Sequence, residues 1–127
     1  MCIRDSLNIG AGRVVKGNLL AVAEAIADNR ILSAPAMSAL IKRLQQSGGT
    51  CHLLGLASLG GVHSHQDHAA AIANMLAKTG VPTAIHAFTD GRDTPPQSAA
   101  EEIDRLAAAL PTSVRQSTRQ WASTRTR

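Results

Sequence analysis

Three of the chain's five histidines stand with one aspartate in the nine residues GGVHSHQDH, numbers 60 to 68. Read as H-x-H-x-D-H (His63, His65, Asp67, His68), the spacing suits a loop that brings imidazole and carboxylate ligands onto a pair of metal ions that activate water. Such a centre needs further ligands from later strands, and downstream only His86 and Asp90 are near candidates. His86 lies in an apolar run, where a histidine satisfied within the core is the simpler role; His52 has the same setting. His65 and His68 also suit the start of a helix, with Asp67 complementing its positive amino end. The histidines thus admit two readings, metal ligands or ligands to a small substrate.

A second constellation lies in DGRD, numbers 90 to 93. The guanidinium of Arg92 can grip a phosphate or carboxylate with its fork of donors. Asp93 can accept a hydroxyl hydrogen bond or remove the hydroxyl proton, provided it lies within reach. His63 can bond a phosphate oxygen or shuttle a proton. The alternative is a surface turn closed by an Arg92–Asp93 ion pair.

The elements that must position these residues follow from periodicity. Leu19, Ala23, Ile26 and Ala27 repeat at helical spacing, and so do Met37, Leu40, Ile41 and Leu44, with Ser33 and Pro35 marking the second start and Gly48 and Gly49 the stop. CHLLGLAS, from Cys51 to Ser58, reads as a buried strand. A third helical stripe, Ala69, Ile72, Ala73 and Leu76, is closed by Gly80 in a left-handed cap. TAIHAFTD, from Thr83 to Asp90, reads as a second strand. A fourth helix is expected from Thr94 as N-cap, Pro95 at its first position and Gln97 completing a capping box, with the stripe Ala99, Ile103, Leu106, Ala107 and Leu110 and its end at Pro111.

Strand, helix, strand, helix predicts an α/β unit with parallel neighbouring strands joined by a right-handed crossover. Loops leaving the carboxyl ends of adjacent parallel strands share one sheet edge, where ligands bind. GGVHSHQDH follows the first strand and DGRD the second, so His63, Arg92 and Asp93 are expected to face one crevice. That crevice suits a small, anionic, hydroxylated ligand.

Composition limits the alternatives. With 44% apolar residues but 2% aromatic, one core built from Leu, Ile, Val and Ala is expected, which favours closely packed helices over a sandwich. No run of about 18 apolar residues would span a bilayer, and LLAVAEAIA carries Glu24 and no cleavage-site pattern, so a cytoplasmic address without membrane partner is expected. Cys2 and Cys51 form neither a disulfide framework nor a C-x-x-C pair, and Cys51 reads as an inert thiol. The net charge of +4 is local: residues 1–111 hold 9 basic and 9 acidic side chains, and the remaining 4 arginines lie beyond. A basic tail alone, without a lysine cluster, points weakly to nucleic acid, and no nucleic-acid partner is expected. GAGRVVKG is similar to a glycine-rich phosphate loop, yet Val15 stands where the third glycine belongs and no strand precedes it.

Taken together, LNIGAGRVV, GGTCHLLGLASLGGVHSHQDH and HAFTDGRDTPPQSA closely resemble the cofactor-independent (2,3-bisphosphoglycerate-independent) phosphoglycerate mutases, from Leu7 to about Leu110. The resemblance implies a partial parallel sheet with flanking helices, a fragment of the substrate-binding (phosphotransferase) domain inserted into an alkaline-phosphatase-like enzyme. It implies interconversion of 3-phosphoglycerate and 2-phosphoglycerate through a phosphoserine intermediate, with two manganese ions (Mn2+), in an enzyme usually monomeric. By motif position it assigns His63, Arg92 and Asp93 to substrate binding, Asp93 also as candidate proton acceptor, and no metal ligand to this chain.

Departures from the pattern are equally informative. The family's nucleophile belongs to a GNSEVGH-like motif before LNIGAG, where this chain has MCIRDS; Ser6 abuts Leu7 directly and is not that serine. After residue 111 the family pattern SGRYYAMDRDKRW is replaced by SVRQSTRQWASTRTR, so Arg115 and Arg119 are not assigned as substrate arginines. The expected organisation is a divergent leader over 1–6, a partial substrate-binding domain over 7–111, and a disordered or frameshifted basic tail over 112–127, the whole inactive by itself. A small H-x-H-x-D-H metallohydrolase and a nucleic-acid-binding module acting through the tail are the competing readings.

Overall fold

Pro35 opens a helix at the position where its fixed φ and missing N–H do no harm, and Ala34 before it is extended. The computed structural model describes residues 9–13, 17–62, 64–95 and 97–119. After a helical turn at residues 9–11 come α1 (Asn18–Ala27), a single turn α2 (Arg30–Ser33) and α3 (Pro35–Ser47). Asn29, left-handed at φ 56°, breaks the chain between the first two. Then follow β1 (Cys51–Ala57), α4 (Gln66–Lys78), β2 (Thr83–Thr89), α5 (Ala99–Ala108) and β3 (Val114–Arg119). The expected glycine after α4 is left-handed, Gly80 at φ 76°.

The three strands form one parallel sheet in the order β1-β2-β3, in agreement with the α/β expectation. Cys51 pairs with Thr83 and Ala57 with Thr89, so β1 and β2 end level and their following loops leave the same edge. Strand alternation puts Cys51, Leu53 and Ala57 on one face with Ile85, Ala87 and Val114. Against that face pack Ala70, Ala73 and Leu106 in one cluster, and Ile41, Leu76 and Val81 in another. Alanines dominate the contact because α4 and the sheet approach closely, as the scarcity of aromatics suggested. His52 and His86 occupy the other face, with Nδ1 of His52 2.8 Å from Nε2 of His86 and the rings stacked. His86 is thus satisfied by another histidine, whereas the sequence pointed to partners within the core.

Two local readings need correction. The fourth helix begins at Ala99 with Ser98 as its N-cap, not at Thr94. Thr94 Oγ1 donates backwards to the Asp90 carbonyl at 3.2 Å, and Gln97 is left-handed at φ 70°. The sequence contained the reason: Pro95 precedes another proline, which pushes it out of the helical region. Secondly, β3 takes residues 114–119 from the segment expected to be an irregular tail; residues 120–127 lie outside the described residues.

Cys51 is 7% exposed in the cluster around Ile41 and Leu76. Burial pushes its thiol pKa up, which disfavours the reactive thiolate. With Cys2 replaced by serine so that Cys51 is the one thiol, the native chain is therefore expected to react with a thiol reagent at neutral pH far more slowly than the urea-unfolded chain. Because the folded pKa is raised, the unfolded state loses its proton first, and stability is expected to fall as pH climbs above about 9. A denaturation midpoint that rises over that range, or equal labelling of native and unfolded chain, would contradict this.

Candidate functional site

The site is built by two loops that leave the same edge of the sheet. The first continues β1 through Ser58, 1% exposed, whose hydroxyl donates to Asp90 Oδ2 at 2.6 Å and accepts the Gly60 N–H at 3.0 Å. The second continues β2 through Asp90, itself buried. Its other oxygen, Oδ1, accepts the backbone N–H groups of Arg92 at 2.9 Å and Asp93 at 3.1 Å. An aspartate that bonds the backbone two and three residues on fixes a tight turn. One buried carboxylate thus ties the end of β1 to the turn that carries the candidate chemistry.

The loops also touch directly. A Cβ on Gly60 would lie 2.7 Å from the Asp93 carbonyl oxygen and 3.1 Å from the Asp93 Cβ. Only glycine allows this approach without moving backbone. The first loop then returns to β1: Ser64 Oγ donates to the Leu56 carbonyl at 2.6 Å, and the Gln66 N–H to the Ser58 carbonyl at 3.0 Å.

Of the residues singled out from the sequence, Arg92 and Asp93 stand side by side, Arg92 Nε lying 3.7 Å from Asp93 Oδ1. Their exposures differ: the Arg92 side chain is 84% exposed and that of Asp93 15%. This leaves the guanidinium available to an incoming anion while the carboxylate is held within the wall. His63 lies outside the described residues, and so does Ser6. Arg115 and Arg119 fall in β3. Asp93 lines a cleft of about 300 Å³ between the loops and the start of α5, together with Gly60, Thr94, Ser98, Glu102 and Arg105. A separate hollow of about 340 Å³, lined largely by apolar side chains such as Leu19, Val22, Leu54 and Ile72, crosses β1; that lining suits an anion poorly.

The remaining members of H-x-H-x-D-H serve the helix. His65 is the N-cap of α4, its Nδ1 accepting the Asp67 N–H at 3.4 Å, and Asp67 lies in the first turn. The same Nδ1 is 3.6 Å from Asp67 Oδ2. It cannot accept from the backbone and donate to the carboxylate at once, and the capping role is the one a helix start requires. His65 and His68 sit with ring centroids 5.8 Å apart. Among the described residues no three His, Cys, Asp or Glu side chains come together as a metal site.

Sequence reasoning missed three residues. Ser58 was taken only as the end of a strand, Asp90 as the end of the next strand and a candidate metal ligand, and Glu102 not at all. The Asp-Gly turn signal and the serine closing an apolar strand were readable, but the bond between them spans 32 residues. Glu102 was readable only as a polar residue on the buried side of its helix, four residues before Leu106.

Residues 22–124 match the family model described as BPG-independent PGAM N-terminus. A 2,3-bisphosphoglycerate-independent phosphoglycerate mutase of Rhodopseudomonas palustris is 61% identical over 108 residues, which is 85% of this chain and 21% of that protein. One of Gluconobacter oxydans is 48% identical over the same shares. A crystal structure of Leishmania mexicana phosphoglycerate mutase at low cobalt concentration superimposes with a TM-score of 0.68 at 31% identity, covering 76% of this chain and 19% of that one. The chain therefore spans about a fifth of the length of the relatives it matches.

Proposed function

The chain belongs to the 2,3-bisphosphoglycerate-independent phosphoglycerate mutase family, and from that premise we propose that its two loops are part of the wall that holds glycerate while a phosphoryl group moves between the 2- and 3-positions. The observation that carries this reading is the contact of Gly60 with Asp93, which joins the two motifs into one surface beside a cleft. Arg92 offers an exposed guanidinium to the phosphate or carboxylate. Asp93 accepts a hydrogen bond from a glycerate hydroxyl; as that oxygen attacks phosphorus, its O–H bond breaks and the proton passes to the Asp93 carboxylate, while the phosphoserine P–O bond breaks with its electron pair left on the serine oxygen. The reverse transfer returns the proton. His63 supplies a further bond to the phosphate.

The nucleophilic serine belongs to the remainder of such an enzyme, as do the two manganese ions. The described residues do not fit a manganese site, and no step assigned to this chain runs through a metal. The full enzyme is an isomerase of the cytoplasm working on 2-phosphoglycerate and 3-phosphoglycerate, and this part alone does not turn over. No helix among the described residues is long and apolar enough to cross a membrane.

Titrating the chain with 3-phosphoglycerate, followed by backbone amide shifts, tests the reading. The amides of Gly60, Arg92 and Asp93 are expected to respond, and Arg92→Ala to weaken binding about tenfold, the loss of one charge-assisted bond. Responses confined to α1 and the apolar hollow would contradict it.

A further inference from the structure

Glu102 lies on the first turn of α5 and is 4% exposed. Its Oε1 accepts the Ser98 hydroxyl at 3.1 Å. Its Oε2 is buried with no hydrogen-bond partner among the described residues. Buried carboxylate oxygens are rarely left bare, because the lost hydration is not replaced. Glu102 lines the same cleft as Asp93, so a ligand in that cleft can bring the missing donor.

We propose that Glu102 is a second hydroxyl-binding carboxylate of the cleft, its Oε2 accepting one hydroxyl of glycerate while Asp93 takes the other. This rests on the reading that Asp93 faces glycerate. Glycerate without its phosphoryl group carries two adjacent hydroxyls, and a wall with two acceptor carboxylates matches that pair. Arg105, lining the cleft one turn beyond Glu102, supplies positive charge toward the ligand's carboxylate. A ligand with one hydroxyl leaves one carboxylate bare, so the arrangement selects for the diol.

The test uses the whole chain and three small acids: D-glycerate, lactate, which lacks the 3-hydroxyl, and 3-hydroxypropionate, which lacks the 2-hydroxyl. Binding is followed by the amide shifts of Asp93 and Glu102. The unaltered chain is expected to prefer glycerate over each of the others by about tenfold, the value of one charge-assisted hydrogen bond. In Glu102→Met, which keeps the length of the side chain but removes both acceptor oxygens, the preference over one of the two acids is expected to collapse while the other persists; Ser98→Ala, which removes only the bond to Oε1, keeps both. If Glu102→Met retains both preferences, the role of Glu102 is overturned and that of Asp93 stands. If glycerate leaves the Asp93 amide unmoved in the unaltered chain, both are overturned. Equal binding of all three acids to the unaltered chain overturns the proposal without any variant.

Discussion

Replacing Gly60 by alanine is expected to pry the two loops apart, lowering stability by about 1–3 kcal/mol and abolishing the response of the Asp93 amide to 3-phosphoglycerate. The added methyl would meet a backbone carbonyl at 2.7 Å, not the yielding end of a side chain. Relief therefore requires a shift of the turn that carries Arg92 and Asp93. Gly55→Ala is the control: no atom lies within 4 Å of its would-be Cβ, and a small effect is expected there. Comparing denaturant midpoints and ligand response for the two variants checks the prediction, and equal behaviour would contradict it.

The second large effect is expected at Asp90. Asp90→Ala removes the acceptor of the Ser58 hydroxyl and of the Arg92 and Asp93 amides. Hydrogen bonds to a charged group contribute about 1.5–3 kcal/mol each, and a buried donor left without partner adds its own cost. A loss of about 3 kcal/mol or more is expected, together with a disordered 90–94 turn. Asp90→Asn is expected to fall between: its amide oxygen can still accept from the two backbone groups, but its NH2 faces a Ser58 oxygen already accepting from Gly60, which strands the serine proton. A double-mutant cycle with Ser58→Ala is expected to show coupling of about 1 kcal/mol or more. Unchanged midpoints for Asp90→Ala would remove the scaffold from the account.

How much of this was legible follows from the range of each interaction. The apolar stripe of α4, the glycine after it and the strand character of β2 rest on local pattern, the parallel order of β1 and β2 rests on the succession strand, helix, strand, and the structure agrees with them. The placing of DGRD opposite GGVHSHQDH followed from one topological rule. The start of α5 was misread because Thr94 serves the Asp90 turn instead of the helix; the successive prolines were the available signal. β3 was missed because its six residues, VRQSTR, carry almost no apolar character, and they pair through backbone with β2. Ser58, Asp90 and Glu102 were missed for a different reason. Their importance lies in burial and in which atoms lack or find partners, and neither is set by neighbours in the chain.

The most direct measurement is a graft. The 108 residues that match the Rhodopseudomonas palustris relative at 61% identity replace their counterparts in that protein, and the interconversion of 3-phosphoglycerate and 2-phosphoglycerate is assayed with and without Asp93→Asn. The account predicts an active hybrid that loses at least a hundredfold of its kcat, on the order of a general base's contribution, when Asp93 is changed. An active hybrid indifferent to Asp93→Asn would contradict it.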